Sequence, residues 1–320
     1  MRVLLTGITG FVGSYLIDYI HSNIQNAEIH GLVRPGRTPG HLFPATDQLH
    51  LHFGDLLDQN SLLKALEECR PDRIFHLAGF SSTHYSFDLP ALAVKVNTLG
   101  TLNLLQAVRE SRLNPTIIIA SCGEIYGLAF ADELPLKETA IFRPLNPLAV
   151  SKAAQDLLGF QFFKSFGLKI IRVRLFDLVG PRQPDFYFLS GVARQIAEIE
   201  KKKATPVIKV FNPEVKRDCT DVRDLVRALW LVAEKSEPGE VYNLGSGLAW
   251  SRSELVKMMV GLTRAKIVIN TEGNHSLHFP EPPILLADIS RMMKLTGWKP
   301  QINLKQSLLD LLNYWREVIK

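Results

Sequence analysis

Short apolar runs alternate along the first half of the chain with longer stretches in which apolar positions recur every three or four residues. Runs of the first kind cover 2–5, 28–33, 50–54, 73–77, 116–120 and 169–175 and predict strands. Stretches of the second kind cover 11–22, 61–69, 92–109 and 146–166 and predict helices. Strands alternating with helices imply a parallel sheet covered on both faces. Right-handed crossovers then make the fold class α/β, a doubly wound parallel sheet.

Beyond residue 176 the pattern loosens. Proline-rich joints stand at Gly180-Pro181, Pro206, Pro213, Pro280-Glu281-Pro282-Pro283 and Pro300. Helices are predicted at 190–202, 222–234, 251–262 and 304–318. The expected division is a first unit of residues 1–176, to which some later segments return, and a smaller, mostly helical unit of residues 177–320. A cleft is expected between them.

The first strand–helix junction carries the clearest chemistry. It reads Thr6-Gly7-Ile8-Thr9-Gly10-Phe11-Val12-Gly13. In such a Rossmann-type turn the first glycine permits a tight bend and the second lets backbone approach a pyrophosphate. The third lets the helix pack closely on the sheet. The helix start offers free N–H groups and a positive dipole end to phosphates. A plain strand–helix turn is the bland alternative.

The end of the second predicted strand separates NAD from NADP. NAD sites place an acidic residue there for the ribose 2′-hydroxyl. This chain has Arg34 and then Arg37, guanidinium groups suited to a 2′-phosphate, unless both are solvated loop charges. NADP is the expected cofactor and NAD the alternative. Asp55 follows the third strand, where a carboxylate can contact adenine; a surface loop aspartate is the other reading.

Composition narrows the class without changing it. The 320 residues are 46% hydrophobic and 22% charged, with formal charge +5. The excess suits an anionic small molecule, and Lys201-Lys202-Lys203 is the longest basic block, so no nucleic-acid partner is expected. Cys69, Cys122 and Cys219 are far apart and odd in number, which argues against a disulfide framework and for a reducing compartment. No metal-ligand spacing is present, so no metal site is expected. The first residues lack a signal pattern and no apolar run approaches a membrane span. A cytoplasmic protein without a membrane partner is the expectation.

Further motifs follow in order: His76-Leu77-Ala78-Gly79, Asn97-Thr98-Leu99-Gly100-Thr101, Ser121-Cys122-Gly123-Glu124-Ile125-Tyr126-Gly127, Ser151-Lys152-Ala153-Ala154, Gly180-Pro181-Arg182-Gln183, Arg217-Asp218-Cys219-Thr220-Asp221-Val222-Arg223-Asp224, Tyr242-Asn243-Leu244-Gly245-Ser246-Gly247 and Leu295-Thr296-Gly297-Trp298-Lys299-Pro300. With the glycine turn, this set resembles the extended short-chain dehydrogenase/reductase family over nearly the whole chain. Within it the likeness is to enzymes of nucleotide sugars, GDP-mannose 4,6-dehydratase and GDP-6-deoxy-4-keto-hexose reductase above all. The stretch 174–183 and the block 217–224 carry that preference.

The resemblance implies an NAD(P)-dependent dehydratase, epimerase or reductase that moves hydride between nicotinamide and a sugar carbon. A tyrosine hydroxyl moves the matching proton, and a lysine four residues later, on the same helix face, assists it. It implies a cofactor shell of Gly7, Thr9, Gly10, Phe11, Val12, Gly13, Arg34, Arg37, Asp55, Leu56, Leu77, Ala78 and Lys152. The implied catalytic positions are Lys152, Glu124 and Cys122, and the implied substrate contacts are Tyr85, Asp177, Arg217 and His278.

The chain departs from the family at the sugar end. Leu148 stands where the tyrosine is usual, and Cys122 where a serine or threonine is. Asp177 replaces an asparagine, putting a carboxylate where a diphosphate is bound unless it is protonated or turned away. His278 replaces an arginine. Tyr126, Tyr85 and His84 are possible substitutes for the lost hydroxyl; Tyr126 is otherwise a packed strand-end side chain. The alternative to an atypical enzyme is a protein of the same fold that binds NADP(H) and has lost catalysis. The helices at 92–109 and 146–166 resemble the pair through which this family forms homodimers, unless their faces only cover the sheet.

Overall fold

A computed structural model describes residues 1–36, 49–272 and 280–319 of the chain. Arg37 and His278 lie outside the described residues.

The first half builds β1 (Arg2–Thr6), α1 (Phe11–Asn23), β2 (Glu28–Val33), β3 (Leu49–Phe53), α2 (Gln59–Cys69), β4 (Arg73–His76), α3 (Thr83–Asp88), α4 (Pro90–Val94), α5 (Gly100–Ser111), β5 (Thr116–Cys122), α6 (Pro147–Phe166) and β6 (Ile170–Leu175). The second half adds β7 (Asp177–Val179), α7 (Phe188–Glu200), β8 (Val207–Phe211), β9 (Lys216–Asp221), α8 (Val222–Lys235), β10 (Val241–Leu244), β11 (Ala249–Ser251), α9 (Arg252–Val260), β12 (Val268–Glu272), β13 (Ile284–Leu285), α10 (Ser290–Thr296) and α11 (Leu304–Val318).

Seven parallel strands form the main sheet in the order β3-β2-β1-β4-β5-β6-β10. Alternation along β1 shows why both faces must be covered. Val3 and Leu5 enter one core with residues of α1 and α8, and Leu4 enters the other with residues of α2 and α5. The chain order reverses between β1 and β4, which opens a crevice at the carboxyl ends of the strands, where ligands of such sheets bind.

Three segments of the second half belong to the core of this sheet. β10 pairs with β6, and residues of α8 and α10 pack in the same core as α1. The remaining elements have a core of their own, with Ile196 of α7, Val210 of β8, Met259 of α9 and Leu311 of α11 fully buried in it. Helices dominate there, and the structure adds short strands that periodicity did not mark. β11, β9, β13 and β7 make one small sheet, and β8 and β12 another.

The predicted helix 92–109 is not one regular helix. A π-helical turn at Lys95–Leu99 separates α4 from α5. The bulge turns Asn97 fully inward, where its side chain accepts from Phe80 N at 2.8 Å and donates to Phe80 O at 3.0 Å and Ser151 Oγ at 2.8 Å. One inserted residue thereby ties the chain after β4 to α6, a use of π turns common near functional sites.

Candidate functional site

A cavity of about 840 Å³ runs along the carboxyl ends of the strands and into the C-terminal elements. Its first wall is the glycine turn. Gly7 has φ +76°, and a Cβ there would lie 2.6 Å from Ala78 N; a Cβ on Gly13 would lie 2.3 Å from Gly7 O. Larger residues therefore cannot hold β1, β4 and α1 this close. Helix α1 starts at Gly10 with no side-chain cap and no acidic residue in its first turn. Its first N–H groups, which lack intrahelical partners, are left for an anion.

The other predicted cofactor residues that the structure describes line the same cavity. Thr9, Phe11 and Val12 extend the turn, Arg34 follows β2, Asp55 and Leu56 follow β3, and Leu77 and Ala78 follow β4. One Asp55 oxygen accepts from Leu57 N at 2.9 Å, shaping its own turn. No acidic residue ends β2; Arg34 occupies that place, exposed. These features fit a dinucleotide, and the charge at Arg34 fits a 2′-phosphate.

At the other end Leu148 is buried in the cavity wall, on the first turn of α6. Lys152, one turn on, is buried as well. Its Nζ donates to Ala120 O at 3.0 Å and to Gln155 Oε1 at 2.9 Å, and burial lowers its pKa to about 8. Gln155 in turn donates to Thr101, which bonds His76, which bonds Thr6 beneath the glycine turn. Burial drives the His76 pKa down to about 3, helped by the positive Lys152, so this relay is neutral apart from the lysine.

Cys122 faces the cavity, and burial pushes its thiol up to about 12. It is a weak hydrogen-bond donor there, and no nucleophile at neutral pH. Glu124 is held from two sides, accepting from Thr83 Oγ1 at 2.8 Å and Asn146 Nδ2 at 2.6 Å. The Asp177 side chain is 48% open to the cavity, yet protein encloses it on the remaining sides. That enclosure lifts its pKa to about 6, against the pull of Arg217 and Arg252 and with the push of Glu124 and Asp218. Water in the cavity opposes this shift, and a ligand that expels it strengthens it.

Arg217 stands with its Nε 4.0 Å from Asp177 and its Nη2 2.9 Å from Glu281. Arg252 grips the other side of Glu281 with bonds of 2.7 and 2.8 Å. Two guanidinium groups around one carboxylate place paired positive charge at the substrate end, facing the carboxyls of Asp177, Asp218 and Glu124 in the same cavity wall.

Two residues considered for the missing hydroxyl stand elsewhere. Tyr126 is wholly buried, bonded to Asn243 at 2.6 Å and to Arg174 at 2.8 Å. Tyr85 is 47% exposed and packs at the rim against Phe186, outside the cavity wall. The reason is local: Ser82 caps α3 through Tyr85 N, so this stretch presents Ser81, Thr83 and His84 inward instead. Sequence reading missed Tyr187. It stands just before α7, lines the cavity, and donates its hydroxyl to Ser81 Oγ at 2.8 Å. Burial raises its pKa, and the nearby Asp177, Glu124 and Cys122 raise it further against the lowering by Ser81. No motif marks Tyr187, nor Arg252; only the fold brings them here.

A glycine turn, an uncapped helix start and a strand-order reversal define a dinucleotide site of the short-chain dehydrogenase/reductase type. The family described as GDP-mannose 4,6 dehydratase matches residues 4–311, and the chain belongs to it. It is 33% identical to GDP-6-deoxy-D-mannose reductase of Pseudomonas aeruginosa over 100% of this chain and 98% of that one. Identity to GDP-mannose 4,6-dehydratase of Vibrio cholerae is 28%, over 97% and 92%. Among solved structures, RMD from Pseudomonas aeruginosa complexed with NADPH superimposes with TM-score 0.85 at 31% identity, covering 99% of both chains. UDP-glucose 4-epimerase of Thermus thermophilus in complex with NAD gives 0.88 at 25% identity, covering 100% of both.

Proposed function

We propose that this chain is an NADPH-dependent reductase of a 4-keto-6-deoxy nucleotide sugar, with GDP-hexose as the substrate class. The observation that carries the reading is one continuous cavity joining the glycine turn and Arg34 to Lys152, Tyr187 and the Arg217/Arg252 pair. The relatives named above as reductase and dehydratase, and the NADPH bound in RMD, support it.

Leu148 removes the usual proton carrier from both chemistries, because the base that oxidises a hydroxyl and the acid that protonates a reduced carbonyl oxygen are one group run in opposite directions. Dehydration needs a second base, for the C5 proton, and both oxygens of Glu124 are already engaged as hydrogen-bond acceptors. Reduction has no such second requirement, which favours it. The glycine turn and Arg34 would hold NADPH, which when bound would supply the hydride. Tyr187, kept protonated by its raised pKa, gives its phenolic proton to the resulting alkoxide and regains one from water. Lys152 offers its remaining N–H to the ribose hydroxyls. The exposed apolar positions Leu92 and Leu99 near α5, with Val150 and Leu157 on α6, support a homodimer through these helices.

Purified protein supplied with the 4-keto-6-deoxy sugar is expected to consume NADPH and to leave GDP-mannose unchanged. Conversion of GDP-mannose to the keto sugar would make it a dehydratase. A second reading, a binding protein without turnover, draws on the same Leu148; NADPH binding with consumption only after Leu148→Tyr would establish it.

A further inference from the structure

A histidine cluster lies on the sheet away from the cavity. The parallel register of β2 and β3 sets His30 beside His50, and their rings stack with centroids 4.9 Å apart. Sequence spacing hides this juxtaposition, because the two residues are twenty positions apart. Glu28, two residues before His30, points from the same face. Ligand atoms of Glu28, His30 and His50 all lie within 4.8 Å of one another.

Hydrogen bonding fixes which nitrogen of His30 carries its proton. Glu68 Oε2 stands 3.0 Å from His52 Nδ1, and a carboxylate only accepts, so Nδ1 is the protonated nitrogen of His52. His52 Nε2 is then an acceptor, and His30 Nδ1, 2.9 Å away, donates to it. That leaves a lone pair on His30 Nε2. This atom is buried and has no hydrogen-bond partner, in a residue 7% exposed. Glu28 Oε2 faces it at 3.8 Å, one acceptor opposite another. Protonation of His30 would relieve the confrontation, but burial and the neighbouring imidazoles hold its pKa down to about 4.

We propose that Glu28, His30 and His50 form a site for a divalent transition-metal ion of the zinc type. Two imidazole nitrogens and a carboxylate oxygen are a ligand set that zinc accepts, with water in the fourth position. Bond lengths of about 2.0–2.2 Å at a tetrahedral angle set ligand atoms about 3.4 Å apart, close to the gap between His30 and Glu28. The Glu68–His52–His30 chain is the outer support that orients a metal-binding imidazole. Arg2 Nε donates to Glu28 Oε2 at 3.2 Å, which leaves that oxygen a further lone pair for the cation. The neighbouring group of His30, His52 and Cys69 is not chosen, because both nitrogens of His52 are engaged in hydrogen bonds. None of the three ligands lines the cavity, so the ion would fasten edge strand β3 to β2 instead of taking part in turnover.

The test uses the full chain stripped with a chelator, dialysed against zinc chloride and analysed for metal, with the thermal midpoint measured in parallel. About one zinc per chain and a raised midpoint are expected in the wild type. His50→Gln, on an exposed side chain, should lower the zinc affinity at least tenfold and remove the thermal shift. Glu68→Gln, which touches no ion, should weaken binding by about 10–100-fold through the imidazole chain. A wild type that retains no zinc, or a His50→Gln variant that binds it as tightly, overturns the proposal.

Discussion

Leu148 sits one helical turn before Lys152, in the wall of the cavity, and cannot exchange a proton. Under the proposed function the proton comes from another side chain of the cavity; the Tyr187 phenol is the donor proposed, and His84 in the same wall is its competitor. Tyr187→Phe is expected to lower kcat by about 10²–10⁴-fold with the NADPH dissociation constant unchanged, as measured by stopped-flow turnover and fluorescence titration. An equal loss of cofactor binding would mean that the ring only props the wall. Asp177 gives a pH dependence of known sign. Its carboxyl is neutral below about pH 6 and negative above it. KM for a diphosphate-bearing sugar should therefore rise as pH increases from 5 to 7, by several-fold, and Asp177→Asn should flatten the profile. These roles were only partly legible in the sequence. The departures at Leu148, Cys122 and Asp177 stand out against the motifs around them. Tyr187 and Arg252 carry no local signal, because a residue just before a helix and a helix-start arginine acquire chemistry only from what the tertiary fold sets opposite them.

Among the elements, the β1–α1 junction was the most readable, since each glycine answers a backbone constraint that the structure shows as a distance. Gly13→Ala would drive a Cβ against Gly7 O. It should cost about 1–3 kcal/mol of stability, as overpacking does, and weaken NADPH binding at least tenfold, both checked by denaturant melts and titration. Six of the seven main-sheet strands were legible as short apolar runs, most of them buried on both faces; β10, at four residues, was not. β7, β11 and β13 were not, at two or three residues each, too short for a period to register. The π turn was hidden for another reason: its cause is the inward bonding of Asn97, and apolar spacing does not report a single inserted residue. Helices α5 and α6 make the second test at this scale. If their exposed apolar positions are a dimer seam, Leu157→Glu shifts the mass in light scattering from two chains to one. A wild type that is already monomeric would contradict it.

Across the whole molecule, the cofactor end carries the expected motifs and the substrate end departs from them. The sheet, the glycine turn and Arg34 meet the requirements of a phosphorylated dinucleotide without exception among the described residues. The substrate end holds Arg217 and Arg252, both paired with carboxylates, and departs from the family's usual residues at Leu148, Cys122 and Asp177. Such a molecule should still transfer hydride, in the reducing direction, with an unusual donor for the proton. The direct measurement is isotopic. NADPH carrying deuterium at the transferable C4 position is incubated with the 4-keto-6-deoxy GDP-sugar and the wild-type chain. Deuterium at C4 of the sugar product is the predicted result. Unlabelled sugar from the wild type, with label only from the Leu148→Tyr variant, would contradict the account and leave a protein that binds its cofactor without using it.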